Sequence, residues 1–291
     1  MFLLARAMHI MVAYADVLSR HPKMIESASV ILERHNATVV GSGDETLVLI
    51  PGFGTEQSAW RHVVDAFKDR YRILSFDLAG VGPANQIHYD HAHYGTLDAY
   101  ARDVVAVLGA VKVERCICVG HSVAGMVVAL ASVRAPHLFR ELVLLGASAC
   151  YRNIGTYRGG FERADIDGLI DSATRDYLRW TAQFGQMIVS APAEDPTVRE
   201  FVAALRAMRP DMALSLLLTV LNSDLRSRLP EVTVPAVVLQ TREDSAVTRE
   251  AAEYLRDHLA GSVFEVLDAS GHLPHMSAPG TVIDALTRHL P

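Results

Sequence analysis

Three residues in this chain have types and positions suited to nucleophilic chemistry. Ser122 sits in Gly120-His121-Ser122-Val123-Ala124-Gly125, which follows the apolar run Cys116 to Val119 and opens into a helical pattern at Val123. A serine on a sharp strand-to-helix turn is held in a strained backbone with its hydroxyl exposed above the sheet. Such a turn needs small residues two positions to either side, and Gly120 and Ala124 meet that need. The usual second glycine is Ala124 here, with Gly125 one step on. A serine hydroxyl attacks poorly until a base removes its proton. Of the thirteen histidines, His272 in Ser270-Gly271-His272-Leu273-Pro274-His275 is the candidate base, because it follows the last strand-like run. The competitor His275 lies beyond Pro274, at the start of the last helical stretch. The base needs an orienting carboxylate. Asp244 in Thr241-Arg242-Glu243-Asp244-Ser245 stands at that place, with Glu243 as runner-up. The chain order is then Ser, acid, His.

The oxyanion formed by attack needs fixed N–H donors. The Val123 amide is one candidate, at a helix N-terminus where free N–H groups and the dipole favour negative charge. The Phe53 amide in Pro51-Gly52-Phe53-Gly54 is the other. His121 adjoins the nucleophile and is expected to turn away from its hydroxyl and line the pocket or pack.

The elements that must position these residues are read from apolar patterning. Leu47 to Ile50, Tyr71 to Phe76, Cys116 to Val119, Leu142 to Leu145, Ala236 to Gln240 and Val263 to Leu267 are short continuous apolar runs, as buried parallel strands are. Val30-Ile31-Leu32 and Thr38-Val39-Val40 read as two further β-rich runs. Helical patterns cover Ser58 to Arg70, Leu97 to Ala110, Val123 to Arg134, Arg249 to Leu259 and Pro279 to Leu290. Alternating strands and helices imply an α/β fold with a mostly parallel sheet covered on both faces. The alternation lapses between about Tyr151 and Arg228, where only helical patterns occur. A helical insertion there is expected to form a lid over the carboxyl ends of the strands. The expected division is a core of residues 29–150 and 229–291, a helical lid of residues 151–228, and an N-terminal arm of residues 1–28.

The chain has 291 residues, half of them apolar, and a formal charge of −6. No basic run exists to follow a phosphate backbone, so nucleic acid is not an expected partner. Cys116, Cys118 and Cys150 cannot frame a chain this long with disulfides; Cys116 and Cys118, in an apolar run, read as packing residues, and the compartment as reducing and cytoplasmic. No metal motif or dinucleotide loop stands out; Gly80 and Gly82 form only a weak glycine pair, so no cofactor is expected. Met1 to Tyr14 is apolar but interrupted by Arg6 and His9, too short and broken to span a membrane. It also lacks the charged-apolar-small order of a secretory leader. An amphipathic arm fits it, as does a start at Met11 or Met24.

With these residues in place, the chain from about Ser29 to Leu290 resembles one branch of the α/β-hydrolases. That branch holds the bacterial sigma-B stress-signalling hydrolases and the plant strigolactone and karrikin receptors. The resemblance rests on Pro51-Gly52-Phe53-Gly54, Val119-Gly120-His121-Ser122-Val123, Tyr157-Arg158-Gly159-Gly160-Phe161, Met208-Arg209-Pro210-Asp211 and Gly271-His272-Leu273-Pro274-His275-Met276-Ser277. It implies an α/β-hydrolase fold, a Ser122-Asp244-His272 triad, and Phe53 and Val123 as oxyanion donors. It further implies four lid helices arranged as a V above an apolar pocket, with Trp180, Phe184, Met187, Phe201 and Leu218 facing the ligand together with Phe53 and Val247. Two departures stand out: Ala79 to Asn85 lacks the family's Gly-His-Ser-Asp ending, and the arm has no counterpart. The expected activity is hydrolysis of small, mostly apolar esters or lactones. The rival is a signalling or ligand-sensing protein with slow turnover, acting through a protein partner in stress-response regulation.

Overall fold

The computed structural model describes residues 27–82 and 89–291. Its apolar runs pair into a seven-stranded sheet: β1 (Thr38–Val40), β2 (Thr46–Ile50), β3 (Arg72–Ser75), β4 (Cys116–His121), β5 (Phe139–Leu145), β6 (Ala236–Glu243) and β7 (Val263–Ser270). The spatial order is β1-β3-β2-β4-β5-β6-β7. All pairs are parallel except β1, which runs antiparallel to β3 with Val39 opposite Leu74. The helices are α1 (Ala28–Arg34), α2 (Arg61–Phe67), α3 (Leu97–Ala110), α4 (Val123–Arg134), α5 (Arg163–Arg175), α6 (Tyr177–Val189), α7 (Pro196–Ala207), α8 (Pro210–Asn222), α9 (Arg249–His258), α10 (Pro274–Ser277) and α11 (Pro279–His289).

The unbroken apolar character of the strands follows from burial on both faces. Successive side chains point to opposite faces of a strand. Leu47, Leu49, Ile117, Val119, Val143 and Leu145 therefore join a core with Val63 and Phe67 of α2 and Val282 and Leu286 of α11. Val48, Ile50, Cys118, Leu142 and Leu144 join the opposite core with α3, α4 and α9. Cys116 and Cys118 are thus buried packing residues with free thiols. Helix α4 is apolar around its circumference because the sheet and α3 enclose it, and ten of its residues are buried. Each fully buried Leu or Val contributes about 1.5–3 kcal/mol.

One expectation is corrected. Val30-Ile31-Leu32 lies inside helix α1, not in a strand. The Ser27 hydroxyl accepts from the Val30 N–H and caps this helix, which packs on α3. Helix capping and tertiary packing outweigh the weak strand preference of the two β-branched residues. The arm's residues 1–26, and Pro83 to Asn85 of the divergent loop, lie outside the described residues. No helix among the described residues is long and apolar enough to cross a membrane.

From β2 the chain adds β3 on one side, then crosses back to add β4 on the other. This reversal opens a crevice above the carboxyl ends of β2 and β4, where open α/β sheets place their ligands. Helices α5 to α8 form an insertion between β5 and β6.

Candidate active site

The turn after β4 places Ser122 at φ 57° and ψ −127°, in the left-handed region that a side chain rarely occupies. Its geometry is over-determined by neighbours. The Ser122 N–H donates to the Leu145 carbonyl at 2.8 Å, and the Ser122 carbonyl accepts from the Gly125 N–H at 2.9 Å. A side chain at Gly120 would put its Cβ 2.5 Å from the Ala124 carbonyl oxygen, so the turn has no room for one. Gly125 has its own reason: a Cβ there would stand 2.6 Å from that of Ala147. The departure from the usual glycine spacing is therefore met by contact with the β5 loop.

Three loops bring the remaining groups to Ser122. His272 follows β7, and its Nε2 lies 2.7 Å from the Ser122 Oγ. Its Nδ1 lies 2.8 Å from the Asp244 Oδ2. Asp244 follows β6, whose pairing with β7 shifts register between Thr241 and Glu243. Its carboxylate is saturated. Oδ1 accepts the Ala246 and Val247 N–H groups at 2.8 and 3.0 Å, and Oδ2 also accepts from the Gln240 Nε2 at 3.1 Å. Burial alone raises this carboxyl's pKa, but His272 and the two backbone N–H groups outweigh it and hold the pKa below the usual value. With Asp244 ionised, the Nδ1 of His272 carries the proton and Nε2 is free to accept one. Glu243 is exposed.

The Val123 N–H opens helix α4, where the first amides have no intrahelical partner. Phe53 lies just past β2 beside Gly52, and among the described residues its amide donates no backbone hydrogen bond. A cavity of about 40 Å³ covers the group. Phe53, Ser122, Tyr151, Ala246, His272 and Leu273 line it from the sheet side; Phe184, Phe201, Leu217 and Leu221 are among its walls from the insertion.

Of the residues expected to face a ligand, Phe53, Phe184 and Phe201 line this cavity. Five do not. Leu218 is 40% exposed and points outward; Leu217 takes its place in the wall. Trp180 stacks on Phe184 with ring centroids 4.9 Å apart and faces an outer groove between α5 and α6, as does Met187. Val247 is buried behind the acid loop and contributes its amide to Asp244. His121 is fully buried; its Nε2 lies 2.7 Å from the His272 carbonyl oxygen, so it turns away from the cavity.

Two polar residues at the site had escaped sequence reasoning. Tyr151 presents a buried hydroxyl to the cavity beside the Ser122 hydroxyl. Burial pushes its pKa up, and the neighbouring Ser122 hydroxyl offsets part of that rise. Gln240 is buried in β6 and braces both Asp244 and the Val247 carbonyl. A polar side chain directly after the apolar run Ala236 to Leu239, four residues before Asp244, was the available signal for Gln240. Tyr151 had none beyond its place after β5.

The model of the alpha/beta hydrolase family matches residues 47–285. A strigolactone esterase of Arabidopsis thaliana is 42% identical over 262 residues, covering 90% of this chain and 98% of that protein. A karrikin insensitive 2 receptor of Petunia hybrida is 42% identical, covering 90% and 97%. Among solved structures, a hydrolase from Oleispira antarctica superposes with a TM-score of 0.87 at 26% identity, covering 90% of this chain and 97% of that one.

Proposed function

The chain belongs to the alpha/beta hydrolase family, and from that premise we propose a serine hydrolase of small, mostly apolar esters or lactones. One observation carries this reading. The hydrogen-bonded series Ser122–His272–Asp244, at 2.7 and 2.8 Å, stands at the floor of an apolar cavity. His272 Nε2 takes the hydroxyl proton as Ser122 Oγ bonds to the carbonyl carbon. The carbonyl π electrons move to oxygen, and the Phe53 and Val123 N–H groups hold the resulting oxyanion. Collapse expels the alkoxide, which leaves as an alcohol with the proton from His272. For a lactone, the freed hydroxyl stays attached to the acyl group. Water then repeats the sequence and releases the acid. Asp244 keeps the imidazole in the required tautomer and stabilises its charged form.

Helices α5 to α8 act as the lid, and the small cavity suits a short acyl group. A fluorophosphonate probe tests the assignment: Ser122 is labelled in the wild-type chain. Labelling of another serine with Ser122 untouched refutes it.

A second reading is a ligand sensor that turns over slowly and acts through a protein partner. It is favoured by direct bonds between the catalytic loops and the last turn of α6. The His272 N–H donates to the Ile188 carbonyl at 2.8 Å, and the Ser245 hydroxyl to the Met187 carbonyl at 2.6 Å. Motion of the lid would thereby reach the triad. The karrikin receptor name among the relatives points the same way. Repeated fast turnover of short acyl esters selects the enzyme; one slow turnover with a change in lid protease sensitivity selects the sensor.

A further inference from the structure

Beneath the triad lies a column of buried rings that the hydrolytic mechanism does not use. Trp60 stacks on His275 with centroids 4.4 Å apart and planes inclined by 30°. The ring of His275 lies 4.4 Å from that of His121, which lies 4.9 Å from that of His272. Trp60, His121 and His275 are each no more than 1% exposed. Among the described residues, both nitrogens of His275, the Nδ1 of His121 and the Nε1 of Trp60 have no protein hydrogen-bond partner. Unpartnered buried nitrogens cost stability, and a phenyl ring would pack in the same space without that cost. Their presence points to work other than folding.

The one polar contact of the column shows what that work is. A carbonyl oxygen only accepts, so at 2.7 Å from the His272 oxygen the His121 Nε2 must carry the proton and donate. Its Nδ1 is then bare. That atom faces Gly52, where even a Cβ would come within 2.7 Å. The imidazole is thus wedged between the backbone that leads into Phe53 and the peptide of the base, and it is joined covalently to Ser122. Burial, with His272 close by, pushes the His121 pKa down to about 3 and keeps the ring neutral. Burial and the neighbouring His121 also hold His275 neutral.

We propose that His121 is a positioning residue for the base: its Nε2–H clamps the His272 carbonyl and sets the spacing of the nucleophile, oxyanion and base loops. The Trp60–His275 stack holds the imidazole in that role. This rests on the reading of Ser122 and His272 as nucleophile and base. A displacement of about 1 Å in a reacting group costs on the order of 10²-fold in rate, and the clamp guards against such a shift.

The test compares His121→Gln, His121→Asn and His121→Phe with the wild-type chain. Para-nitrophenyl acetate serves as substrate, with fluorophosphonate labelling of Ser122 alongside. Glutamine can offer an amide N–H near the ε position, asparagine only near the δ position, and phenylalanine offers none. We expect the Gln variant to keep kcat within about 5-fold, and the Asn and Phe variants to lose roughly 10²-fold in kcat at unchanged KM. The Phe variant also strips the buried His272 carbonyl of its donor, so melting temperature is read beside kcat: a like fall in kcat for Asn and Phe at unlike melting temperatures separates positioning from folding. Wild-type kcat in the Phe and Asn variants overturns the proposal, as does a Gln variant that falls as far as they do. If the Phe variant does not fold, the Gln–Asn pair decides by the same criterion. Wild-type protein whose Ser122 resists the probe and which hydrolyses nothing overturns the nucleophile reading itself, a result distinct from a failed clamp.

Discussion

The cavity has two unlike halves. Every polar atom at its floor comes from loops at the carboxyl ends of strands, namely Ser122, Tyr151 and His272, with Asp244 behind them. The walls contributed by the insertion are all apolar: Phe161, Leu169, Phe184, Ile188, Phe201, Leu217, Val220 and Leu221. The difference follows from what each scaffold can hold still. Strand ends are locked by ladder hydrogen bonds on both sides, so small reacting groups there keep their geometry. Helices packed through side chains present shape, which sets what fits and does not need hydrogen-bond precision. Changes on the sheet side should therefore act on kcat, and changes on the insertion side on KM.

The strongest attempt to break this division is Ser122→Ala. It should lower kcat for ester hydrolysis by about 10⁶-fold, the order seen when a serine nucleophile is removed, and leave the circular dichroism spectrum unchanged. Wild-type rates in that variant would end the mechanism. Asp244→Asn comes next. The amide would spoil the His272 tautomer, and about 10⁴-fold of kcat should be lost at a KM near the wild-type value.

Two buried carboxylates on the sheet side carry opposite electrostatics, and pH separates them. Asp244 receives four hydrogen bonds and stays ionised at lower pH than usual. Its stabilisation is present above its unfolded pKa and is lost as pH falls through the folded one. The Asp77 carboxylate, after β3, accepts from the Gln57 N–H at 2.7 Å and the Asn36 amide at 3.0 Å. Burial raises its pKa to about 6 despite those two bonds. The folded state then holds a proton that the unfolded chain releases near pH 4. Stability from Asp77 is thus complete below that pH and fades as pH rises to 6, by up to about 3 kcal/mol. Denaturant titrations between pH 4 and 7 should show this slope in the wild type and its loss in Asp77→Asn. Equal slopes in the two proteins would show that Asp77 is ionised throughout.

On the insertion side, adjacent leucines of α8 give a smaller and cleaner contrast. Leu217→Ala enlarges the cavity wall and should raise KM for short acyl esters about 10-fold with little change in kcat. Leu218→Ala, on the outward face, should alter neither, and should shift stability by no more than about 0.5 kcal/mol. Equal KM effects would restore Leu218 to the pocket.

This pair also shows where the sequence stops being legible. Leu216, Leu217 and Leu218 are consecutive in a helix that is apolar on most sides, so periodicity cannot say which leucine faces the cavity. Only the packing of α8 against its neighbours decides. The same limit applies to Trp180, whose helical spacing matches that of Phe184 although it stacks behind it. Strand ends are different. A short apolar run has one end at which the chain reverses, so the residues just past β2, β4, β6 and β7 could be placed without knowing any contact. That is why Ser122, His272, Asp244 and Phe53 were readable, and why helices α3 and α4 begin and end where patterning puts them. The ring column under the triad was not readable, because it joins residues from three separate elements, far apart in the chain, through burial alone.

The smallest expected effect concerns how the halves are joined. At its front edge the insertion meets the core through Arg61 of α2 and Glu200 of α7, which form a two-pronged ion pair at 2.6 and 2.9 Å. Both side chains are about 40% exposed, so solvent screens the pair and limits its contribution to about 1 kcal/mol or less. At the rear, the α6 carbonyls bond directly to the base and acid loops. Coupling between the halves should run through the rear. Glu200→Gln should accordingly leave kcat and KM within about 2-fold, and its small stability loss should vanish in high salt. A large fall in kcat in that variant would mean that the front edge also reaches the reacting groups, and the division of labour between the two halves would no longer hold.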